Sequence, residues 1–342
     1  MDRRECVYVV GAGFSAGLGY PLTYDLLQRL WPRLDANFKK RLVKVIQFHH
    51  PRFDERRFSS FPNVEELLSE MFVNEELFEA SREYDGSFTI NDLREIQREL
   101  LTQIAAWFHE LSKKVNPKKP DAAWLVKFRN LVRAENAAII SFNWDLILDE
   151  LLFASQLDAS SYGFGGDLWS SPVLLKPHGS LNWFAGPSAK FIGSDRRTVL
   201  YKEAGETVHA FLKFRSPISA KRTYFPLIVP PHHLKRFEQP VFRNLWRKCT
   251  STLSTAKRVV FVGYSMPTAD IHAQFILRCG FDYQVRGAMQ PNGKRTKATG
   301  ISEVTIINPD RAAAVRIESV AGPHARCEWV STPAAEWVAQ SI

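Results

Sequence analysis

The sequence predicts an α/β protein in which a Rossmann-like, doubly wound parallel sheet carries an inserted helical subdomain. Four short runs rich in β-branched residues have the pattern of strands buried in such a sheet. They are Cys6–Val10, Ala137–Ser141, Arg258–Val262 and Val304–Ile307. Because these runs alternate with helical patterns, they favour parallel strands covered by helices on both faces. Val173–Leu175 is predicted as a further strand of the same sheet.

The long stretch between the first two strands has apolar residues at helical spacing. Its predicted helices are Phe38–Phe48, Val64–Ala80, Asp92–Ser112 and Ala122–Arg133. We therefore predict a helical subdomain at residues 31–120, inserted into a Rossmann-like domain formed by residues 1–30 and 121–342. A second insert, residues 181–237, is rich in aromatic residues, Pro and Ser, and we expect it to be irregular.

Length and composition are those of a globular protein, with 342 residues, 45% of them hydrophobic and 24% charged. No run approaches the roughly 18 continuous apolar residues of a spanning helix. The N-terminus also lacks the longer apolar region of a secretory signal. We expect a cytoplasmic protein without membrane association. Its formal charge of +9 comes partly from basic runs near 113–119 and 286–297, which are typical of solvated loops but would also suit an anionic partner.

No two of the four cysteines form a C-x-x-C pair, which argues against a zinc ribbon. They are Cys6, Cys249, Cys279 and Cys327. Their scatter suits free, mostly buried thiols in a reducing compartment. His232 and His233 have no nearby cysteine or second spaced pair, so we expect them to be loop residues. We predict no bound metal.

The first strand ends in a glycine-rich loop that runs from Gly11 to Pro21. Glycines allow a tight turn and a close approach of backbone N–H groups to a pyrophosphate, and a following helix adds its positive N-terminal end. The spacing G-x-G-x-x-x-G departs from the usual dinucleotide pattern, and the long helical stretch removes the usual acidic residue at the end of the second strand. These departures disfavour a hydride-transfer enzyme. A glycine-rich turn without a ligand is the alternative.

Five motifs, each at a predicted strand end, resemble those of the sirtuin superfamily and follow its order. Gly11–Pro21 matches GAG-x-S-x-x-x-G-I-P, with Tyr20 in the Ile position. Asn143-Trp144-Asp145 resembles the Asn-x-Asp motif, and His178-Gly179 resembles the His-Gly motif. The last two are a Gly-x-Ser loop and an apolar strand ending in Asn. Their counterparts are Gly263-Tyr264-Ser265 and Asn308.

Two departures from typical sirtuins speak against protein deacylation. The two zinc-binding C-x-x-C pairs are absent, and Leu22-Thr23-Tyr24 stands where sirtuins have Asp-Phe-Arg. The stretch His178–Trp183 and the helical insert instead resemble the sirtuin-like NAD-degrading effectors of bacterial antiphage defence. This resemblance implies hydrolysis of NAD⁺ to nicotinamide and ADP-ribose, with NAD⁺ as the substrate and no zinc.

The resemblance also implies the catalytic residues. His178 would act as general base, and Asn143 would orient the ribose or the attacking water. Asp145 resembles the family aspartate that contacts the nicotinamide carboxamide. Each has a plainer interpretation: His178 as a packed loop histidine, Asn143 as the N-cap of a helix over Leu146–Leu152, and Asp145 as an acid favoured in a first helical turn.

The remaining binding residues follow from the same resemblance. Gly11, Ala12, Gly13 and Ser15 would line the phosphates. Gly263 and Ser265 would lie near the ribose and a phosphate, and Asn308 would hold the adenosine ribose. Ser265 and Asn308 could instead serve as turn residues only.

Three functions stay open on the sequence: an NAD⁺ hydrolase, an NAD-dependent deacylase or ADP-ribosyltransferase, and a non-catalytic NAD- or ADP-ribose-binding scaffold in a nucleic-acid complex. Unregulated NAD⁺ loss would kill a cell, so we expect a hydrolase to be gated by self-assembly or by a partner. In the group that the chain resembles, partners include a hexameric HerA-type motor ATPase. We expect a homo-oligomer, with any nucleic acid contacted through the partner.

Overall fold

A computed structural model of the protein describes residues 4–78, 88–153, 157, 160–164, 172–185, 198–203, 206–211, 226–229, 240–290 and 292–340. Its strands, in chain order, are β1 (Arg4–Val10), β2 (Ala138–Ser141), β3 (Val173–Leu175), β4 (Gly179–Ala185), β5 (Thr198–Glu203), β6 (Glu206–Phe211), β7 (Pro226–Ile228), β8 (Ala256–Val262), β9 (Glu303–Ile307) and β10 (Arg326–Val330). They form a six-stranded sheet of order β10-β9-β8-β1-β2-β3 and a four-stranded sheet of order β5-β6-β4-β7.

The six-stranded sheet is parallel throughout, as the sequence predicts. Chain order runs outward in both directions from the neighbours β1 and β8, which is the doubly wound Rossmann-like arrangement. The five predicted strands are all present, and the residues of β2 and β3 are fully buried because helices cover both faces of the sheet.

The sequence analysis predicted no strand after Val304–Ile307, and the structure has one. β10 lies beyond β9 and pairs with it in parallel. Its residues alternate between exposed and half-buried, which is typical of an edge strand. Such a strand lacks the continuous apolar run by which the other strands were identified.

The antiparallel sheet of β4 to β7 lies largely within residues 181–237, for which we predicted an irregular insert. Its strands pair β5 with β6, β6 with β4, and β4 with β7. The rest of that range, including His232 and His233, lies outside the described residues. β4 follows His178 directly, so this small sheet fixes the segment on one side of that residue.

The helices, in chain order, are α1 (Ala12–Ala16), α2 (Leu26–Leu30), α3 (Ala36–His49), α4 (Val64–Phe78), α5 (Ile90–Ser112), α6 (Trp124–Ala134), α7 (Ile147–Phe153), α8 (Pro240–Ser254), α9 (Ile271–Arg286), α10 (Arg311–Ala321) and α11 (Ala334–Gln340). The four predicted helices correspond to α3, α4, α5 and α6. The longest, α5, begins with a capping box in which the Thr89 hydroxyl accepts from Asp92 N–H and the Asp92 carboxylate accepts from Thr89 N–H.

The register of the parallel strands places the loops that carry the sequence motifs at one edge of the sheet. Val10 lies opposite both Ser141 and Val262, and Val262 lies opposite Ile307. The residues that follow these strand ends are Gly11, Phe142, Gly263 and Asn308. Because the carboxyl ends of parallel strands meet at one edge, four of the five sequence motifs begin side by side.

Gly263 allows the loops after β1 and β8 to touch backbone to backbone. Its φ is +61°, and a Cβ there would lie 2.4 Å from Phe14 N and 2.5 Å from the Gly13 carbonyl carbon. The Gly13 N–H donates to the Gly263 carbonyl oxygen at 2.8 Å. A side chain at this position would therefore separate the two central loops.

No helix in the described part of the chain is both long enough and apolar enough to cross a membrane. All four cysteines are free; Cys6 and Cys249 are buried, and Cys279 and Cys327 are half-buried. Burial raises the pKa of the Cys6 thiol to about 12. That buried thiol is a packing group rather than a nucleophile, since the thiolate is the reactive form.

Gly263→Ala should lower the free energy of unfolding by more than about 2 kcal/mol, because it adds a left-handed residue and forces the loop backbones apart. Gly293→Ala is the matched control, since Gly293 has φ +76° with nothing within 4 Å of the added Cβ. It should lose only the conformational cost of about 1 kcal/mol. Urea unfolding measures both values. Equal losses in the two variants would contradict the contact argument.

Candidate functional site

Asn143 is tied to the glycine-rich loop. Its Nδ2 donates to the Gly11 carbonyl oxygen at 2.9 Å and lies 3.4 Å from Ser15 Oγ. Ser15 Oγ in turn donates to Asp145 Oδ2 at 2.6 Å. Asn143, Ser15 and Asp145 are all buried. The structure thus brings the first two sequence motifs into one hydrogen-bonded cluster.

Asp145, rather than Asn143, supports the start of α7. Its Oδ1 accepts from Ile147 N–H at 3.0 Å, a bond that satisfies one of the open donors at a helix N-terminus. Burial raises the pKa of the Asp145 carboxyl, while the Lys176 charge and the Ser15 hydroxyl act in the opposite direction. The helix-start interpretation therefore applies to Asp145, and Asn143 keeps its amide directed at the glycine loop.

Two aromatic rings and a carboxylate pack around the His178 side chain. The Phe142 ring packs edge-on at 4.9 Å between centroids, and the Trp246 ring lies at 5.8 Å. His178 Nε2 lies 2.8 Å from Asp270 Oδ2, and both side chains are buried. Phe142 immediately precedes Asn143 in the chain. Because its ring contacts His178, Phe142 links the segments that carry the two candidate catalytic residues.

The backbone conformation and close packing at position 179 require the glycine of the His-Gly motif. Gly179 has φ +78°, and a Cβ there would lie 2.0 Å from the Leu227 carbonyl oxygen in β7. The His178 carbonyl oxygen accepts from Val229 N–H at 2.9 Å. Only a glycine allows β4 to start immediately after His178 while β7 packs against it.

The glycines of the loop after β1 leave room for a ligand, but their N–H groups already donate to protein atoms. The Gly11 N–H donates to the Val262 carbonyl oxygen at 3.2 Å, and the Gly13 N–H donates to the Gly263 carbonyl oxygen at 2.8 Å. These bonds join the loop to the end of β8. Ala12 begins α1 between them. Because Gly11 and Gly13 have no side chains, a ligand could approach the backbone of this loop closely. The Gly11 and Gly13 N–H groups, however, are already bonded to protein carbonyl oxygens.

The loop after β8 places Tyr264 inward and Ser265 outward. The Tyr264 ring stacks on Phe142 with centroids 4.5 Å apart and planes 12° from parallel. Burial raises the pKa of Tyr264 well above its ordinary value, and the Asp270 and Glu65 carboxylates act in the same direction, so the phenol stays protonated. Ser265 is exposed, and the structure does not bring its side chain into the buried cluster.

Asn308 is engaged with the protein at both ends of its amide. Its Nδ2 donates to the Tyr264 carbonyl oxygen at 3.1 Å, and its Oδ1 accepts from Asp310 N–H at 2.9 Å. This geometry matches the turn-residue interpretation, in which Asn308 holds the loop that carries Tyr264. Each of these amide atoms can form one further hydrogen bond, so contact with a ligand would not require either bond to break.

The sequence analysis did not assign a role to Lys176, which joins the two candidate catalytic segments. Its Nζ donates to the Asp145 carbonyl oxygen at 2.7 Å, to Asp149 Oδ2 at 2.9 Å and to Ser180 Oγ at 2.6 Å. Both members of the Lys176–Asp149 pair are fully buried. The available signal was a lysine two residues before His178 and Asp149, one of the two acids in the mostly apolar α7.

Asp149 extends this network to Tyr162 and to Asn182 in β4. The Tyr162 hydroxyl donates to Asp149 Oδ1 at 2.5 Å, and Asn182 Nδ2 donates to the Tyr162 oxygen at 3.0 Å. Burial raises the pKa of Tyr162 well above its ordinary value, and the Asp149 carboxylate adds to this. The network thus runs from the Asn143 loop to β4 through polar groups alone.

Among the residues that the structure describes, no cluster of three or more His, Cys, Asp or Glu side chains is arranged to hold a metal ion. A cavity of about 280 Å³ lies at the opposite end of the sheet, lined in part by Arg278, Asp282 and His324. It is remote from every sequence motif.

Lys176→Met should lower the free energy of unfolding by about 3–5 kcal/mol, because it leaves the Asp149 carboxylate buried without its cation. Adding Asp149→Leu should restore part of the loss, since no unpaired charge then remains. The exposed Lys257–Glu5 pair is the control: Lys257→Met should cost under about 1 kcal/mol. Chemical denaturation of the three variants tests this, and similar losses in the buried and exposed lysine variants would contradict it.

Comparison with known proteins finds similarity among solved structures only. No protein-family model matches the chain, and no curated protein matches it. A Sir2 enzyme solved for its mechanism and regulation is 14% identical, with a TM-score of 0.44 over 98% of this chain and 90% of that one. A Sir2 homologue–NAD complex also gives 14% identity and 0.44, over 98% and 87%. A mutant Sir2 homologue with ADP-ribose gives 14% and 0.42, over 98% and 89%. The structural neighbours are Sir2-family proteins.

Proposed function

We propose that this chain binds NAD⁺ at the edge formed by β1 and β8 and hydrolyses its nicotinamide–ribose bond. The observation that carries the proposal is the contact of Asn143 Nδ2 with the Gly11 carbonyl oxygen. It joins the catalytic candidate to the glycine loop at the point where the strand order reverses. In open α/β sheets, ligands bind in the crevice at such a switch point.

The geometry supports a specific role for the Asn143 amide. Its NH₂ group is fixed by the Gly11 carbonyl oxygen and faces Ser15 Oγ. An amide carries its donors and its acceptor on opposite branches. We therefore assign its oxygen to a ribose hydroxyl or to the attacking water, which it orients without adding charge.

His178 acts as the general base in this proposal. The C1′–N bond breaks, and its electron pair neutralises the pyridinium nitrogen, so nicotinamide leaves uncharged. The water oxygen bonds to C1′, and its proton passes to His178 and then to solvent. A positioned base of this kind contributes roughly 10²–10⁴ in rate. Asp145, buried beside Ser15, supplies the carboxylate near the cationic ring.

Control of the reaction is part of the proposal. Asn143 is 8% exposed and His178 4% exposed, and in this proposal the segments around them move to admit NAD⁺. We propose that self-assembly, or a partner ATPase of the HerA type acting with nucleic acid, provides this opening. A gated NAD⁺ hydrolase in the cytoplasm would serve antiphage defence by depleting NAD⁺.

The test is release of nicotinamide from NAD⁺ by the purified full chain, followed by chromatography, alone and with the partner ATPase and DNA. Asn143→Ala and His178→Ala should each lower the rate by at least about 100-fold. Asn292→Ala and His324→Ala are controls of the same residue types at exposed positions, and they should match the unaltered chain.

Three outcomes would contradict the proposal. The first is no release under any condition although calorimetry shows NAD⁺ binding, which would indicate a binding scaffold. The second is release that depends on an acylated peptide and yields acyl-ADP-ribose, which would indicate a deacylase. The third is full activity in both site variants, which would place the reaction elsewhere.

A further inference from the structure

We propose that Asp270 is a positioning residue for His178, fixing which ring nitrogen carries the proton. The inference deepens the proposed function and rests on it. Its basis is the 2.8 Å separation of His178 Nε2 and Asp270 Oδ2, both on buried side chains. The two residues belong to different elements, the turn before β4 and the turn before α9.

The Asp270 carboxylate is fixed on its other side. Its Oδ1 accepts from Ala273 N–H at 3.2 Å, which makes Asp270 the N-cap of α9. The N-terminus of this 16-residue helix favours a negative charge. One oxygen of an ionised carboxylate therefore faces the helix end, and the other faces the imidazole.

The consequence for the ring follows from the chemistry of the two groups. At 2.8 Å an ionised carboxylate attracts a protonated Nε2 and repels an unprotonated one, so the nitrogen beside Oδ2 carries the proton. A neutral imidazole has one protonated nitrogen, which leaves the lone pair on the other. In neutral His178, Nε2 bears the hydrogen and Nδ1 is the base.

The surroundings strengthen this preference. The Phe142 and Trp246 rings pack against the imidazole, so the pair lies in an apolar wall where charge interactions exceed those in water. When Nδ1 takes the proton of the attacking water, the ring becomes an imidazolium beside Asp270. The carboxylate stabilises this cation until the proton leaves for solvent.

Capping and positioning make different demands on residue 270. Asn and Asp are about equally good N-caps, so Asp270→Asn keeps the start of α9 and removes the negative charge beside His178. Asp310→Asn is the control, because Asp310 is also a helix N-cap: it caps α10 by accepting from Ala312 N–H at 2.9 Å. It has no link to His178 in this mechanism.

The first test needs no NAD⁺. The full chain labelled with ¹⁵N-histidine gives the protonation state of each imidazole nitrogen by NMR, and His178→Gln identifies the signals by their loss. At a pH where the ring is neutral, we expect protonated Nε2 and unprotonated Nδ1. Asp270→Asn should shift these signals and Asp310→Asn should not. An Nδ1-protonated ring, or an unchanged spectrum in Asp270→Asn, would overturn the inference.

The second test uses nicotinamide release. Asp270→Asn should lower kcat by at least about 100-fold while KM stays within about threefold, because the base is affected and substrate binding is not. Asp270→Glu should recover part of kcat. A loss confined to KM, or an equal loss in Asp310→Asn, would indicate a structural role and overturn the inference. A chain without NAD⁺ turnover would refute the proposed function, while the NMR result would still decide the role of Asp270.

Discussion

The close approach of two backbone loops at the centre of the sheet is the constraint on which the site depends. Gly13 and Gly263 touch through N–H and carbonyl groups, with no room for a Cβ on either side. This contact lies between the carboxyl ends of β1 and β8, where the strand order reverses. Since the Gly11 carbonyl oxygen holds Asn143, the position of that amide depends on how closely the loops pack. The glycines thus serve both the fold and the proposed chemistry.

A second set of constraints fixes the remaining loops against each other. The Lys176 ammonium has three donors and meets three acceptors, on Asp145, Asp149 and Ser180. All of its hydrogen bonds are therefore satisfied without water. A buried network in this condition favours one arrangement, because any shift leaves a polar group unpaired at a cost of several kcal/mol. It joins the loop after β2 to the segment that bears His178, so the relative placement of Asn143 and His178 is specified by charge as well as by packing.

Features that depend on neighbouring residues in the chain could be predicted from the sequence, whereas contacts between distant segments could not. Strands buried on both faces leave continuous β-branched runs, so β1, β2, β8 and β9 were predicted within a few residues; β10 is an edge strand and leaves none. Residues at the carboxyl ends of parallel strands must share an edge, so Asn143 and Gly263 could be predicted to lie at the same edge of the sheet. The partners of side chains were not predictable. Asp270 has the local pattern of a helix cap, and only the fold brings it to His178.

In the proposed reaction, the two carboxylates of the site lie near the positive charge at its successive positions. NAD⁺ brings a positive nicotinamide ring, and the ring leaves neutral while a proton is transferred from water to His178. The positive charge therefore moves from the ring to the imidazole, where Asp270 lies 2.8 Å away. A buried cation is costly unless it is paired. In this scheme Asp145 faces the charge at the start of the step and Asp270 faces it at the end. Two carboxylates on different loops would then keep a buried site compensated throughout.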